Sequence, residues 1–343
     1  MRPTIRTVLM IGALALLAPL LFACKKEAKS NEIFFARDSF ENSNGKLNVI
    51  TTVAPLTDIV HNIGGDRINL YGVIPDGTNS HTFEPKPSDA KQFARADLVI
   101  VNGLHLEEPT LNLAKANLKQ GAEIKYLGDN TITEREWLFD FSFPREKGDP
   151  NPHLWMNPKY ALKYAELTRD WLAARDAPNA AIYRENYTRY KTVIDRVDAA
   201  TRQAVQTVPE KNRRLLTYHD SWAYWAREYG FQVIGAVQPS DFKEPRPREV
   251  RAVIDQIKQE QLPAVFGSEV FPSKVLRQIA KEANATYVDK LSDDAPPGKP
   301  GSPEHTYVGM MLDDMRNMLP ALGGNAAAFD GIDPAPTFQR SGP

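Results

Sequence analysis

The stretch "NAAIYRENYTRYKTVIDRVDAATRQAVQTV", residues 179–208, decides how the rest of the chain is organised. It holds no Gly or Pro and is bounded by Pro178 and Pro209. Ile182, Tyr183, Tyr187, Tyr190, Val193, Ile194, Val197 and Ala200 recur near helical spacing, which predicts a single amphipathic helix. At 1.5 Å rise per residue such a helix spans roughly 45 Å, wider than a small domain. A helix of that length between two lobes is a stiff strut, not a hinge. The competing reading is two helices broken at a kink that the sequence does not mark. A second helical pattern, "PKYALKYAELTRDWLAARD" (158–176), precedes it, so the interval 157–208 carries no strand pattern.

On both sides of this interval the pattern alternates. Short β-rich runs at 47–53, 68–74, 97–103 and 123–127 are separated by helical segments at 56–63, 88–96 and 105–119. A second set at 213–218, 231–237, 263–269 and 285–289 is interrupted by helices near 220–229, 247–261 and 273–283. Strands alternating with helices predict parallel α/β units. The expected fold is α/β, with two lobes of a four-stranded, mainly parallel sheet and flanking helices, joined by one long rigid helix. The expected boundaries are 47–177 for the N-terminal lobe, 178–209 for the linking helix and 210–322 for the C-terminal lobe. The last residues, 323–343, are small and Pro-rich without periodicity, and predict a disordered tail.

The N-terminus sets the compartment. Arg2 and Arg6 precede 16 residues, Val8 to Ala23, that are apolar or small and include Pro19. That is a secretory core, shorter than the ~20 apolar residues of a membrane span. The run ends at Cys24, the one cysteine of the chain, within "LFAC". This arrangement resembles a bacterial lipoprotein signal, with residues 1–23 removed and Cys24 lipidated. The alternatives are an uncleaved anchor and a plain signal peptide. The polar stretch 24–46 then reads as a flexible tether. The product is expected outside the cytoplasm, periplasmic or at the cell surface. A net charge of −1 over 343 residues, with no basic block, argues against nucleic acid as a partner. With no cysteine left, any metal site in the mature chain must use His, Asp, Glu or backbone oxygen.

Six histidines remain to be placed. His81, in "NSHTFEPKPSD" (79–89), follows the strand 68–74 by a short turn. His153 lies in "DPNPHLWMNP" (149–158), and His219 directly follows the strand 213–218. Asp289 ends the predicted strand 285–289. In open α/β sheets ligands bind beyond the carboxyl ends of the strands. These four residues, two from each lobe, can therefore converge in a cleft between the lobes. Three imidazoles and a carboxylate suit zinc in four-coordinate geometry, and manganese(II) is the alternative. Each histidine taken singly reads as a surface residue; their joint placement carries the expectation. His61 near a helix end, His105 at the opening of a helix and His305 before the last helix read as capping or packing residues. His105 has a ligand-orienting role as its second reading. Pro85 and Pro87 are expected to stiffen the loop that presents His81, and Ser88 to cap the helix after it.

At these residues the chain resembles the metal-binding solute receptors of bacterial ABC importers for zinc and manganese. The ordered motifs are "HTFEPKPSD" at His81, "NPHLWMNP" at His153, "YHDSWAYWAREYGF" at His219, "VFGSEVFPSKVLRQIAKE" at 265–282 and "YVDKLSDD" at 287–294. They span about residues 47–322. The resemblance implies two α/β lobes on one rigid helix, a metal between them, and a membrane permease as partner. Carried over singly, it implies His81, His153, His219 and Asp289 as ligands. It implies a non-enzymatic receptor, expected to act as a monomer, that a lipid on Cys24 holds at the membrane. Many zinc-specific members carry a His-rich loop before the second histidine, whereas 128–152 here contains none. Many manganese members carry Glu where this chain has His219, so the third nitrogen favours zinc.

Two other classes compete. A zinc hydrolase would use His81, His153 and His219 with Glu84 or Asp220 as general base, although no HExxH pattern appears. A surface adhesin on the same scaffold would hold a structural metal.

Overall fold

The computed structural model describes Phe40, residues 44–270 and residues 274–338, with only the backbone of Lys290. The signal segment 1–23, Cys24 and most of the expected tether lie outside the described residues. Eight strands and nine helices alternate within them. The N-terminal lobe contains β1 (Leu47–Thr51), α1 (Ala54–Gly64), β2 (Ile68–Gly72), α2 (Ala90–Phe93), β3 (Leu98–Val101), α3 (Glu108–Asn117) and β4 (Glu123–Tyr126). Two helices follow, α4 (Pro158–Arg175) and α5 (Ala180–Val205). The C-terminal lobe contains β5 (Arg214–Thr217), α6 (Ala223–Tyr229), β6 (Gln232–Ala236), α7 (Pro247–Glu260), β7 (Ala264–Ser268), α8 (Lys274–Ala283), β8 (Thr286–Leu291) and α9 (Tyr307–Ala321).

Both sheets are wholly parallel and share one topology, β2-β1-β3-β4 and β6-β5-β7-β8. The inner strands β3 and β7 are buried throughout and β1 is buried from Val49 onward, as strands covered on both faces must be. In each order the chain reverses direction beside the first strand of the lobe, which places a switch point at the carboxyl ends of β1 and β3, and of β5 and β7. The α/β class, the two four-stranded sheets and the long helix therefore stand as the sequence predicted.

The long helix α5 is continuous over 26 residues, so no kink divides it. Tyr183, Tyr190, Ile194, Val197, Ala200 and Ala204 form its buried stripe. It packs on α1 and α4 of one lobe and on α6 and α9 of the other. One apolar cluster runs from Val49 and Ile100 through Tyr190 and Val197 to Met311 and Phe266, across both lobes. A smaller cluster, with Leu216, Ile257 and Leu276, fills the far side of the second sheet under α7 and α8. Interiors packed at crystal-like density do not deform continuously. A core shared by both lobes thus resists wide opening.

The expectation of a disordered tail from residue 323 is corrected as far as residue 338. Phe329 is fully buried against α5 and Ile332 is nearly so. The Thr337 N–H donates to Asn62 Oδ1 at 2.9 Å, and the Phe338 ring meets His61 edge-on at 4.6 Å. Scattered apolar residues in an irregular segment carry no period to read, yet each fills a gap on the surface. At the other end, Phe40 is buried beside Tyr71, so the expected tether already touches the lobe there. Ser88 is exposed and caps nothing; the Asp89 carboxylate accepts the Lys86 N–H at 2.8 Å instead.

Candidate metal centre

Three of the predicted ligands meet. The Nε2 atoms of His81, His153 and His219 form a triangle with sides of 3.2, 3.3 and 3.1 Å. Two nitrogens bound to one tetrahedral zinc at 2.0–2.1 Å lie ~3.3 Å apart, so the triangle has the size of a metal face. His153 is fully buried, His219 is 2% exposed, and His81 is half-buried.

Each imidazole is placed by local chemistry. His81 sits on a 3-10 turn, Ser80–Thr82, whose entry is capped by Asn79 Oδ1 accepting the His81 N–H. The His81 ring stacks on Phe242 at 4.5 Å and lies 5.4 Å from Phe143. His153 Nδ1 lies 2.8 Å from Asn151 Oδ1, which also accepts the His153 N–H. Asn151 Nδ2 donates to the Asp220 carbonyl and to Asp140, which fixes the amide so that Oδ1 faces the ring. An amide oxygen only accepts, so His153 carries its proton on Nδ1 and leaves the Nε2 lone pair free. His219 follows β5; its Nδ1 lies 2.6 Å from Gln238 Oε1, which fixes the same tautomer. Burial pushes all three imidazoles below the ordinary histidine range, His219 to about 4. The charge of His219 adds to the effect at His81 and His153. At neutral pH the centre therefore offers three neutral nitrogen donors.

The fourth predicted residue does not join them. Asp289 lies inside β8, not at its end, and is exposed. Its contribution is in the backbone: the Asp289 carbonyl passes so close to Gly267 that a Cβ there would stand 2.1 Å from it. The strand runs two residues further than the expected 285–289, to Leu291, so its rim begins later. Asp293, past that end, is 2% exposed and brings Oδ2 to 3.5 Å from His219 Nε2. Neither of its carboxylate oxygens makes a hydrogen bond of normal geometry among the described residues. Burial, then the charges of Glu269 and Asp294, push the Asp293 carboxyl far above the usual carboxylate range. A cation is the partner that would offset this cost.

The turn that carries Asp293 is held from several sides. Glu269 Oε1 accepts the N–H groups of Asp293, Asp294 and Ala295 at 2.8–3.0 Å. The Trp155 indole donates to the Asp293 carbonyl at 2.7 Å, and Trp155 follows His153 by two residues. Asp294 Oδ2 accepts from Ser80 Oγ and Ser80 N–H, tying the same turn to the one that presents His81. None of Glu269, Asp294 and Asn151 was singled out from the sequence. Proximity to the motifs "GSEVF", "KLSDD" and "NPH" was the available signal.

The remaining histidines part company. His305 Nε2 meets Asp76 Oδ2 at 3.0 Å across the lobes. In the same segment Tyr307 donates its N–H to Asp58 and its O–H to the Trp155 carbonyl. "GSPEHTY" therefore clamps the second lobe onto the first. His105 precedes α3 in a left-handed conformation and stands 3.7 Å from Asp149. As for the hydrolase bases, Glu84 is exposed, and Asp220 Oδ2 accepts the Ser142 N–H at 2.9 Å. Asp220 also faces Asp140, whose carboxyl is raised to about 9 by burial and by the Asp220 charge.

Comparison with known proteins finds metal-binding relatives. The family described as zinc-uptake complex component A, periplasmic, matches residues 49–321. A metal ABC transporter substrate-binding lipoprotein of Streptococcus parasanguinis is 27% identical over 303 residues, 88% of this chain and 94% of its own. An iron-binding protein of Yersinia pestis is 30% identical over 266 residues, 78% and 83% of the two chains. Among solved structures, the periplasmic zinc-binding protein of Treponema pallidum superposes with a TM-score of 0.73 at 27% identity, covering 81% of this chain and all of that one. The manganese-bound periplasmic metal-binding protein of Candidatus Liberibacter asiaticus gives 0.71 at 26%, with the same coverage. With four-fifths of its length matched, the chain belongs to the periplasmic component A family of zinc-uptake complexes, a family of binding components and not of enzymes.

Proposed function

We propose that the protein is an extracytoplasmic receptor that captures one divalent transition-metal ion between its lobes and delivers it to an ABC permease. The observation that carries this reading is the Nε2 triangle beside the buried Asp293 carboxylate, whose Oδ2 faces His219 Nε2. His81, His153, His219 and Asp293 are the proposed ligands, with Asp293 replacing Asp289. Asn151 and Gln238 hold two of the imidazoles in the metal-binding tautomer. Among the described residues no helix is long and apolar enough to cross a membrane. Attachment is assigned to a lipid on Cys24, and the receptor acts as a monomer.

Zinc is the favoured cargo, because three imidazoles and one carboxylate complete a tetrahedron. One observation favours manganese: neither Asp293 oxygen is held by a hydrogen bond of normal geometry, so a bidentate carboxylate can raise the coordination number. Titration of the metal-free chain with zinc and with manganese separates these. The receptor reading expects one tight ion per chain and a large loss of affinity in His219→Ala. A chain that binds neither metal overturns it.

A further inference from the structure

Three of the four proposed ligands are closed to solvent: His153 is 0%, His219 2% and Asp293 2% exposed. Of the four, His81 alone is half-buried, and its ring lines a cavity of about 270 Å3 at the lobe junction. An ion that reaches the centre by this opening passes between apolar side chains, Leu104, Leu106, Phe143 and Phe242, and polar ones, Ser142 and Ser240. A divalent ion that sheds water on its way to a buried centre needs ligands to replace that water.

The same cavity is lined by His105 and Asp149. Their Nδ1 and Oδ1 atoms are 3.7 Å apart, and the side chains are 48% and 60% exposed. Two ligands sharing an ion at ~2.1 Å stand about 3.0–3.5 Å apart, within reach of small rotations of exposed side chains. Lys147, the cationic residue of the cavity, is engaged with the Ser240 carbonyl at 2.7 Å. The backbone presents His105 at a cost. Gly103, Leu104 and His105 have φ of 81°, 51° and 63°, left-handed in succession. For the two residues with a Cβ this conformation is strained. Glu107 accepts the Gly103 N–H and Asp129 the Leu104 N–H, which holds the turn in place.

We propose that His105 and Asp149 form a second, weaker site for a divalent transition-metal cation at the mouth of the cleft, a way station to the buried centre. Water completes its coordination. The role as a way station rests on the receptor reading above; the existence of the second site does not.

The test is a zinc titration of the metal-free full chain by calorimetry, with stopped-flow fluorescence of Trp155, which touches the Asp293 turn. The wild type is expected to show one tight and one weaker class of site. His105→Asn, a residue that tolerates the left-handed backbone, and Asp149→Asn each remove the weaker class. Each also slows filling of the tight centre about tenfold and leaves its affinity within about twofold. His219→Ala does the converse, losing the tight class and keeping the weaker one. A wild type with a single class, or a filling rate unchanged in both His105→Asn and Asp149→Asn, overturns the proposal. A weaker class lost in these variants, without any tight class in the wild type, upholds the second site and overturns the receptor reading instead.

Discussion

The two rims that meet at the metal centre are built differently. The N-terminal rim presents His81 on one short turn, with a half-buried ring between Phe143 and Phe242. The C-terminal rim presents His219 and Asp293 almost fully buried. Their supports are Gln238, the Glu269 carboxylate under three N–H groups, and the Trp155 indole. His81 is thus a door, and His153, which is also of the N-terminal lobe but fully buried, joins His219 and Asp293 in the seat. A receptor on a rigid strut has no wide closure to exploit, so asymmetry between rims is how it can stay both tight and accessible.

The comparison breaks most sharply at the two aspartates of "YVDKLSDD". Asp293→Ala is expected to weaken metal binding more than about 100-fold, beyond the 10–100-fold typical of a supporting partner. Asp289→Ala should leave affinity within about twofold, because its side chain faces solvent. Paired calorimetric titrations check both. Equal losses would erase the distinction between seat and strand.

Support for the seat comes next. Asn151→Ala and Gln238→Ala each release one imidazole to rotate or change tautomer, and each should cost roughly 10–100-fold in affinity. Competition against a chelator of known strength reads the change. Glu269→Ala removes a carboxylate oxygen that receives three N–H groups. It should lower stability by about 2 kcal/mol in urea unfolding of the metal-free chain and weaken binding as the Asp293 turn relaxes.

The smallest expected effect concerns the clamp behind the door. Burial alone would lower the His305 pKa, but the Asp76 carboxylate, the Pro297 carbonyl and the Asp58 charge together outweigh it and raise the pKa above the ordinary histidine value. The folded chain therefore holds this proton more tightly than the unfolded one. The stabilisation is complete below the unfolded value and fades as pH rises through the folded one. His305→Gln should cost about 1–2 kcal/mol at pH 5.5 and progressively less as the medium becomes alkaline. Urea unfolding of both proteins across pH reads the difference; a gap that widens with pH would contradict it.

The same asymmetry governs what the sequence made legible. Eight strands and the long helix follow from hydrophobic period and Pro placement, both local properties. Histidines are scarce, so three of them at strand ends stand out. Aspartates are not: "YVDKLSDD" offers three within eight residues, and choosing among them requires the exact strand end. Lys290 and Leu291 extend β8 by two residues and move the rim from Asp289 to Asp293. Glu269 and Asp294 act through contacts between segments apart in sequence, and Asn151 is fixed by Asp220 from the other lobe, so only their nearness to the motifs marks them. Packing without a period leaves no local trace, so the sequence does not mark the tail to residue 338 as packed.

The most direct test is a crystal structure of the zinc-loaded chain with anomalous data at the zinc edge. The account predicts one strong peak about 2.0–2.2 Å from the Nε2 atoms of His81, His153 and His219 and from an Asp293 oxygen. A peak bound by Asp289, or a zinc ion away from the three imidazoles, would contradict it.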